Sequence, residues 1–207
     1  MSVYETDRVR DEYLLFHYGS PEQVCPWMGG PREALGFPSR IVERFSPGRV
    51  GRALDLGCAV GRSAFEMSRS AEEVVAIDYS HSFVEAAKVM QAEGRCEIGR
   101  LEEGHCREAV VVESPPGARA GHIAFEQGDA LDLRADLGSF DRVLAANLLC
   151  RLSSPSLLLS RLPELVRPGG ELILTTPCTW LEEFTPEACW PTGSTFEWLR
   201  SELEASF

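Results

Sequence analysis

The chain has 207 residues, 44% of them hydrophobic, with 20 Lys plus Arg against 32 Asp plus Glu and a formal net charge of -12. That length suits one domain, and that apolar share supplies a core, which excludes a disordered chain. The acidic balance argues against nucleic-acid backbone as the main partner, because such binding needs clustered Lys and Arg.

In chain order, residues 1–7 show no basic region leading into an apolar run, so no leader is expected, and no apolar run reaches membrane-spanning length. Residues 7–16 place Val9, Tyr13 and Phe16 at helical spacing, and the helix should end near Gly19. A loop rich in Pro and Gly follows from 21 to 31. Residues 37–45 then read as a helix broken by Pro47-Gly48. Residues 1–48 are thus expected to form an N-terminal helical cap.

From residue 50 the texture changes. Residues 50–56 read as a buried strand, 57–61 as a turn, 62–70 as a helix and 74–77 as a second buried strand. Ser82 to Glu85 has capping-box spacing and opens a helix to about residue 93. Residues 94–121 break the rhythm: 96–101 and 107–112 flank a polar turn at 102–104, which predicts an inserted β-hairpin. Residues 122–126 and 140–145 read as strands. Ser154 before Pro155 predicts a helix over 156–166, Pro168-Gly169-Gly170 a tight turn, 171–175 a strand and 195–204 a last helix. Alternating strands and helices, with strands apolar on both faces, predict an α/β, doubly wound, mostly parallel sheet. The core is expected from 49–93 and 122–207, in a single domain spanning 1–207.

The seven cysteines, Cys25, Cys58, Cys96, Cys106, Cys150, Cys178 and Cys189, are scattered and never spaced C-x-x-C. They read as reduced thiols of a cytoplasmic protein. Cys96, His105 and Cys106 lack a fourth ligand at a usual spacing, so no metal site is expected.

The strongest chemical signal is Ala53-Leu54-Asp55-Leu56-Gly57-Cys58-Ala59-Val60-Gly61-Arg62, a strand running into a glycine turn and a helix. In such sheets ligands bind beyond the carboxyl ends of the strands. Gly57 lets backbone approach a ligand, and Asp78, ending the next strand, can accept both hydroxyls of a ribose. A dinucleotide site would want G-x-G-x-x-G, whereas here Gly57 and Gly61 enclose Ala59. That is close to the D-x-G-x-G-x-G loop that cups S-adenosylmethionine. Phe125 to Ala130, Phe140 to Asn147 and Leu165 to Leu172 follow in the order of class I S-adenosylmethionine-dependent methyltransferases, and the chain resembles that class. The resemblance implies a Rossmann-like fold with two more strands after the last helix. None is visible before Phe207, so either the chain is truncated or a partner completes the sheet edge.

Tyr4 to Arg8, Glu12 to Gly19, Asn147 to Leu152 and Thr179 to Pro186 resemble something narrower. They look like the C-terminal methyltransferase domain of the ovothiol-biosynthesis enzyme, described as a 4-mercaptohistidine N1-methyltransferase. The resemblance implies methyl transfer to the imidazole π nitrogen of 5-thiohistidine, a small histidine-derived thiol. Charge, the lack of a spanning run and the cysteine pattern add the expectation of a cytoplasmic enzyme acting on no nucleic acid or membrane, with a homodimer or a sulfoxide-synthase partner domain or protein as its expected company. Cofactor contacts are expected from Arg40, Asp55, Gly57, Cys58, Gly61, Asp78, Tyr79, Asp129, Ala130 and Asn147. Asn147, His17 and Tyr18 are expected at the chemistry, and Trp180 and Glu183 at the substrate. Two other readings stay open: a small-molecule methyltransferase of other specificity, and a cofactor-binding but inactive scaffold.

Overall fold

A computed structural model of the chain describes residues 3–27, 29–204 and 206–207. Helix α1 (Asp7–Tyr18) is capped by Thr6, whose hydroxyl accepts from the Val9 amide at 3.4 Å. The expected loop after it holds a short helix, α2 (Pro21–Val24), set by a Ser20–Gln23 capping box with Pro at its first position. Helix α3 (Phe37–Val42) is shorter than its sequence pattern suggests.

Strand β1 (Val50–Leu56) runs into α4 (Arg62–Met67), then β2 (Ala71–Asp78) and α5 (His81–Glu93). The α5 N-cap is Ser80 rather than Ser82: the Ser80 hydroxyl accepts from the Phe83 amide at 3.1 Å. The next two free amides, of His81 and Ser82, donate to the Glu5 carboxylate at 3.0 and 3.1 Å. A carboxylate there answers unpaired N–H groups at the positive end of a helix. It also ties the segment before α1 to α5.

The insertion is a separate antiparallel pair, β3 (Arg95–Glu103) and β4 (Cys106–Glu113), turning at Gly104-His105. Then come β5 (Ile123–Gln127), β6 (Phe140–Ala146), α6 (Pro155–Leu165), β7 (Val166–Thr175) and α7 (Thr195–Glu204). Strand β7 starts before the expected Pro-Gly-Gly turn, which instead forms a register shift against β6. Glycine is needed at 170, where a Cβ would sit 3.0 Å from the carbonyls of Arg167, Asp141 and Phe140.

The main sheet has the order β5-β2-β1-β6-β7, and every pairing is parallel. Alternate side chains feed two cores. Ala53, Val74, Ala76 and Leu144 pack under α1, α4 and α5, with Phe65, Phe83 and Met90. Leu54, Val75, Val143 and Ala145 pack the other way, against Leu158, Leu162 and Leu165 of α6. Burial on both faces explains why these strands read as continuous apolar runs. Chain order reverses at β1, with β2 on one side and β6 on the other, and the crevice at that switch point is where the site lies.

Among the described residues the main sheet has five strands. All seven cysteines are free thiols. No described helix is long and apolar enough to cross a membrane.

Candidate functional site

A cavity of about 840 Å³ opens beyond the carboxyl ends of β1, β2 and β6. Its floor is the turn after β1. There the Gly57 and Cys58 amides donate to the Ile77 carbonyl at 2.8 and 3.1 Å, pinning the turn to β2. Gly57 has φ of +69°, and a Cβ there would come within 3.0 Å of the Leu148 side chain. Ala59 also lies in the left-handed region, at φ 48°. It is held there because its amide donates to Asp78 Oδ2 at 2.8 Å. The strain of a non-glycine residue in this region is thus offset by a charge-assisted bond.

Three carboxylates stand on the floor: Asp55, Asp78 and Asp129. Asp55 is buried, and its Oδ2 has no partner among the described residues. Burial, reinforced by the nearby Asp78, raises its pKa to about 7. Asp78 is also raised by burial, while the amides of Ser80 and Ala59 pull the other way. Asp129 accepts from the Leu131 amide at 2.8 Å, which shapes the turn after β5. Cys58, Tyr79 and Ala130 complete this part of the wall. The Cys58 thiol is buried, and burial pushes its pKa up, so it stays neutral.

Opposite, α1 contributes Tyr13, Phe16 and His17, and the segment after β7 contributes Glu183 and Phe184. The His17 pKa falls to about 3, by burial and then by the Arg62 charge, so its ring is neutral at physiological pH. Its Nδ1 is buried without a partner among the described residues. Tyr13 packs on Phe83 with ring centroids 4.6 Å apart. Its hydroxyl is pushed up to about 12, by burial first and then by Tyr4. At the end of β6, Asn147 has φ 55°; its amide donates to the Thr175 carbonyl at 2.9 Å, and its Oδ1 accepts from the Thr175 hydroxyl at 3.2 Å. These bonds aim the Asn147 side chain and leave its NH₂ group without a partner among the described residues.

Of the residues expected from sequence, the cavity brings together Asp55, Gly57, Cys58, Asp78, Tyr79, Asp129, Ala130, Asn147, His17 and Glu183. Four lie elsewhere. Arg40 is exposed, and its guanidinium donates to the Ala34 carbonyl at 2.9 Å, bracing a loop. Tyr18 is buried under the glycine turn, its hydroxyl donating to the Val60 carbonyl at 2.7 Å. Gly61 sits behind the turn, with φ +88° and the Phe125 ring where a Cβ would go. Trp180 turns toward α7, donating from Nε1 to the Thr195 hydroxyl at 2.9 Å. Tyr13, Arg151 and Phe184 line the cavity and were not expected there. Tyr13 and Phe16 show the helical spacing from which one face of α1 could be read, whereas Arg151 sits on a single 3₁₀ turn (Leu149–Arg151), which has no periodicity to read. Among the described residues no group of three or more His, Cys, Asp or Glu is arranged to hold a metal ion.

An orphaned buried carboxylate and a wall richer in Asp and Glu than in Arg suit a ligand with positive charge. A sulfonium cofactor with a free amine and a ribose meets that description. The family described as "Methyltransferase domain" matches residues 54–174. A ubiquinone biosynthesis O-methyltransferase of Xanthomonas axonopodis pv. citri is 27% identical over 151 residues, covering 71% of this chain and 53% of its own length. The chain spans about half the length of the curated relatives it matches. Among solved structures, the methyltransferase complexed with the Haloferax volcanii Trm112 activator superimposes with a TM-score of 0.54 at 15% identity, over 82% of this chain and 67% of that one. Haemonchus contortus phosphoethanolamine N-methyltransferase 1, complexed with phosphoethanolamine and S-adenosylhomocysteine, gives 0.52 at 18% identity, over 91% of this chain and 38% of that one. These likenesses are of fold.

Proposed function

The chain belongs to the methyltransferase-domain family, and from that premise we propose that it transfers the methyl group of S-adenosylmethionine to the imidazole π nitrogen of 5-thiohistidine. Bound S-adenosylmethionine supplies a methyl group on a positive sulfonium, whose leaving group is a neutral thioether. Asp55 faces its amine, Asp78 its ribose and Asp129 its adenine in this reading. The Gly57 turn provides the close backbone approach.

The acceptor half of the cavity needs mainly to align. Orientation of two reactants supplies roughly 7–11 kcal/mol in the best intramolecular cases. A neutral imidazole already carries a lone pair near pH 7. His17, kept neutral by burial, places no competing charge beside the acceptor. The free amide group of Asn147 positions a polar acceptor at the end of β6. Tyr13, Phe16 and Phe184 exclude water and offer flat faces to a ring.

The observation that carries the reading is convergence. The segments that resemble the thiohistidine methyltransferase, 4–8, 12–19, 147–152 and 179–186, come from three distant parts of the sequence, yet each contributes residues to the wall of one cavity. The test is incubation with S-adenosylmethionine and, separately, 5-thiohistidine, histidine and a catechol, read by mass spectrometry. The expected result is N-methylated thiohistidine with an equal amount of S-adenosylhomocysteine. Methylation of the catechol alone moves the protein to the oxygen acceptors named for its curated relatives. Cofactor binding without turnover of any acceptor supports the scaffold reading instead.

A further inference from the structure

Arg151 is the one Arg or Lys among the described residues lining the cavity. No carboxylate of the described residues lies within salt-bridge distance of it, so inside this acid-lined cavity its charge is uncompensated. Its Nη1 donates to the Cys150 and Thr179 carbonyls at 3.1 and 3.4 Å, and its Cζ lies 4.8 Å over the Phe184 ring. One nitrogen of the fork is therefore anchored and the plane is held by an aromatic face, while the remaining N–H groups have no partner among the described residues. A half-buried, oriented and unpaired guanidinium is built for a planar anion.

The acids on the same wall are not equivalent. Glu12 is paired with Arg8 at 2.8 Å, and Glu5 is committed to the first turn of α5. Glu183 has no ion pair or hydrogen bond among the described residues, and it precedes Phe184, over whose ring Arg151 is held. Two opposite charges on one wall are thus kept apart from each other and from every other partner.

Resting on the methyl-transfer reading, we infer that Arg151 and Glu183 are the recognition pair for the acceptor: the Arg151 fork seats a carboxylate, Glu183 meets an ammonium, and the acceptor enters as a free zwitterionic α-amino acid. The pair then selects against the decarboxylated amine, the carboxamide and any residue within a peptide. Arg151 acts as a specificity-determining residue and takes no part in the chemical step.

The experiment compares 5-thiohistidine with its carboxamide, its N-acetyl derivative and the decarboxylated amine, in the wild type and in Arg151→Lys, Arg151→Met and Glu183→Gln. The wild type should prefer the acid by about 10- to 100-fold in kcat/KM, the range set by hydrogen bonds to charged groups. Arg151→Met should lose that factor through KM with the acid, lose little with the amide, and keep its affinity for S-adenosylhomocysteine. Arg151→Lys, which keeps the charge without the fork, should restore part of the preference. Glu183→Gln should keep the acid-over-amide ratio and lose the preference for a free over an N-acetylated amine. Equal activity on acid and amide in the wild type, or equal losses on both in Arg151→Met, overturns the assignment while leaving the proposed function standing. If thiohistidine is not methylated, the proposed function falls. The pair is then judged by calorimetry of the S-adenosylhomocysteine-loaded protein with the twenty free amino acids and their amides. An acid preference that disappears in Arg151→Met supports it, and the lack of any such preference overturns it.

Discussion

Replacing Asp55 with Asn tests the electrostatics of the cavity floor directly. In the folded chain the Asp55 carboxyl is raised from a usual 3.8 to about 7 by burial and by Asp78. Between those values the folded protein holds a proton that the unfolded chain has released. Stability from this proton is fully present below about 3.8 and is lost as pH rises through about 7. The whole span is worth about 4 kcal/mol, at roughly 1.4 kcal/mol per tenfold change in equilibrium. Asn carries no such charge, so in the ligand-free protein the variant should gain on the wild type as pH rises. Between pH 6 and pH 8.5, both above the isoelectric point near 4.8, the stability difference should shift by about 1–1.5 kcal/mol in favour of Asp55→Asn. Chemical denaturation at the two pH values reads this, and isothermal calorimetry of the same proteins should show S-adenosylhomocysteine binding weakened about tenfold or more. A stability difference that does not move with pH refutes the claim that Asp55 is a desolvated carboxyl. Unchanged affinity refutes its place in the cofactor site.

Two further substitutions separate support from chemistry. Gly61→Ala places a Cβ 2.7 Å from the Phe125 ring at φ +88°, so it should cost about 2–4 kcal/mol and lower Tm by several degrees; an unchanged Tm in scanning calorimetry refutes the packing argument. Tyr18→Phe removes the donor to the Val60 carbonyl and should cost about 1–2 kcal/mol, with turnover within about twofold of wild type; a tenfold drop in kcat at unchanged stability returns Tyr18 to the chemistry.

The parallel sheet was legible because its strands are apolar on both faces and alternate with helices, and runs such as Val74–Ile77 do feed both cores. The glycine turn was legible because the positive φ at Gly57 and the close approach of Leu148 are demands that one residue type meets. The misses share a cause: side-chain direction and distant partners are not written in local spacing. Ser82 has the spacing of a cap, yet Glu5 reaches the start of α5 from 76 residues away. Arg40 lies on a helix near the cavity, but a nearby carbonyl claims its guanidinium. The capping box at Ser20 was present in the letters and hidden only by the surrounding Pro and Gly. Arg151 could not be found from sequence, since its meaning comes from the partners it lacks.

The inserted hairpin has a mechanical consequence. It is bolted to the cap rather than to the main sheet: the Gly99 amide donates to Asp11 Oδ2 at 3.1 Å, Arg100 Nη1 to the Gln23 carbonyl at 2.8 Å, and Gln23 Nε2 to the Val111 carbonyl at 3.0 Å. Helix α1, which carries Tyr13 and His17 on the cavity wall, is tied to the hairpin through Asp11 and, by way of α2, through Gln23, while Ile98, Val110 and Val112 of the hairpin share a core with Phe83 and Met90 of α5. To move outward the helix must break the Asp11 bond and disturb that shared packing. Any outward movement of α1 is therefore a collective motion, on the microsecond-to-millisecond scale, rather than a side-chain rotation.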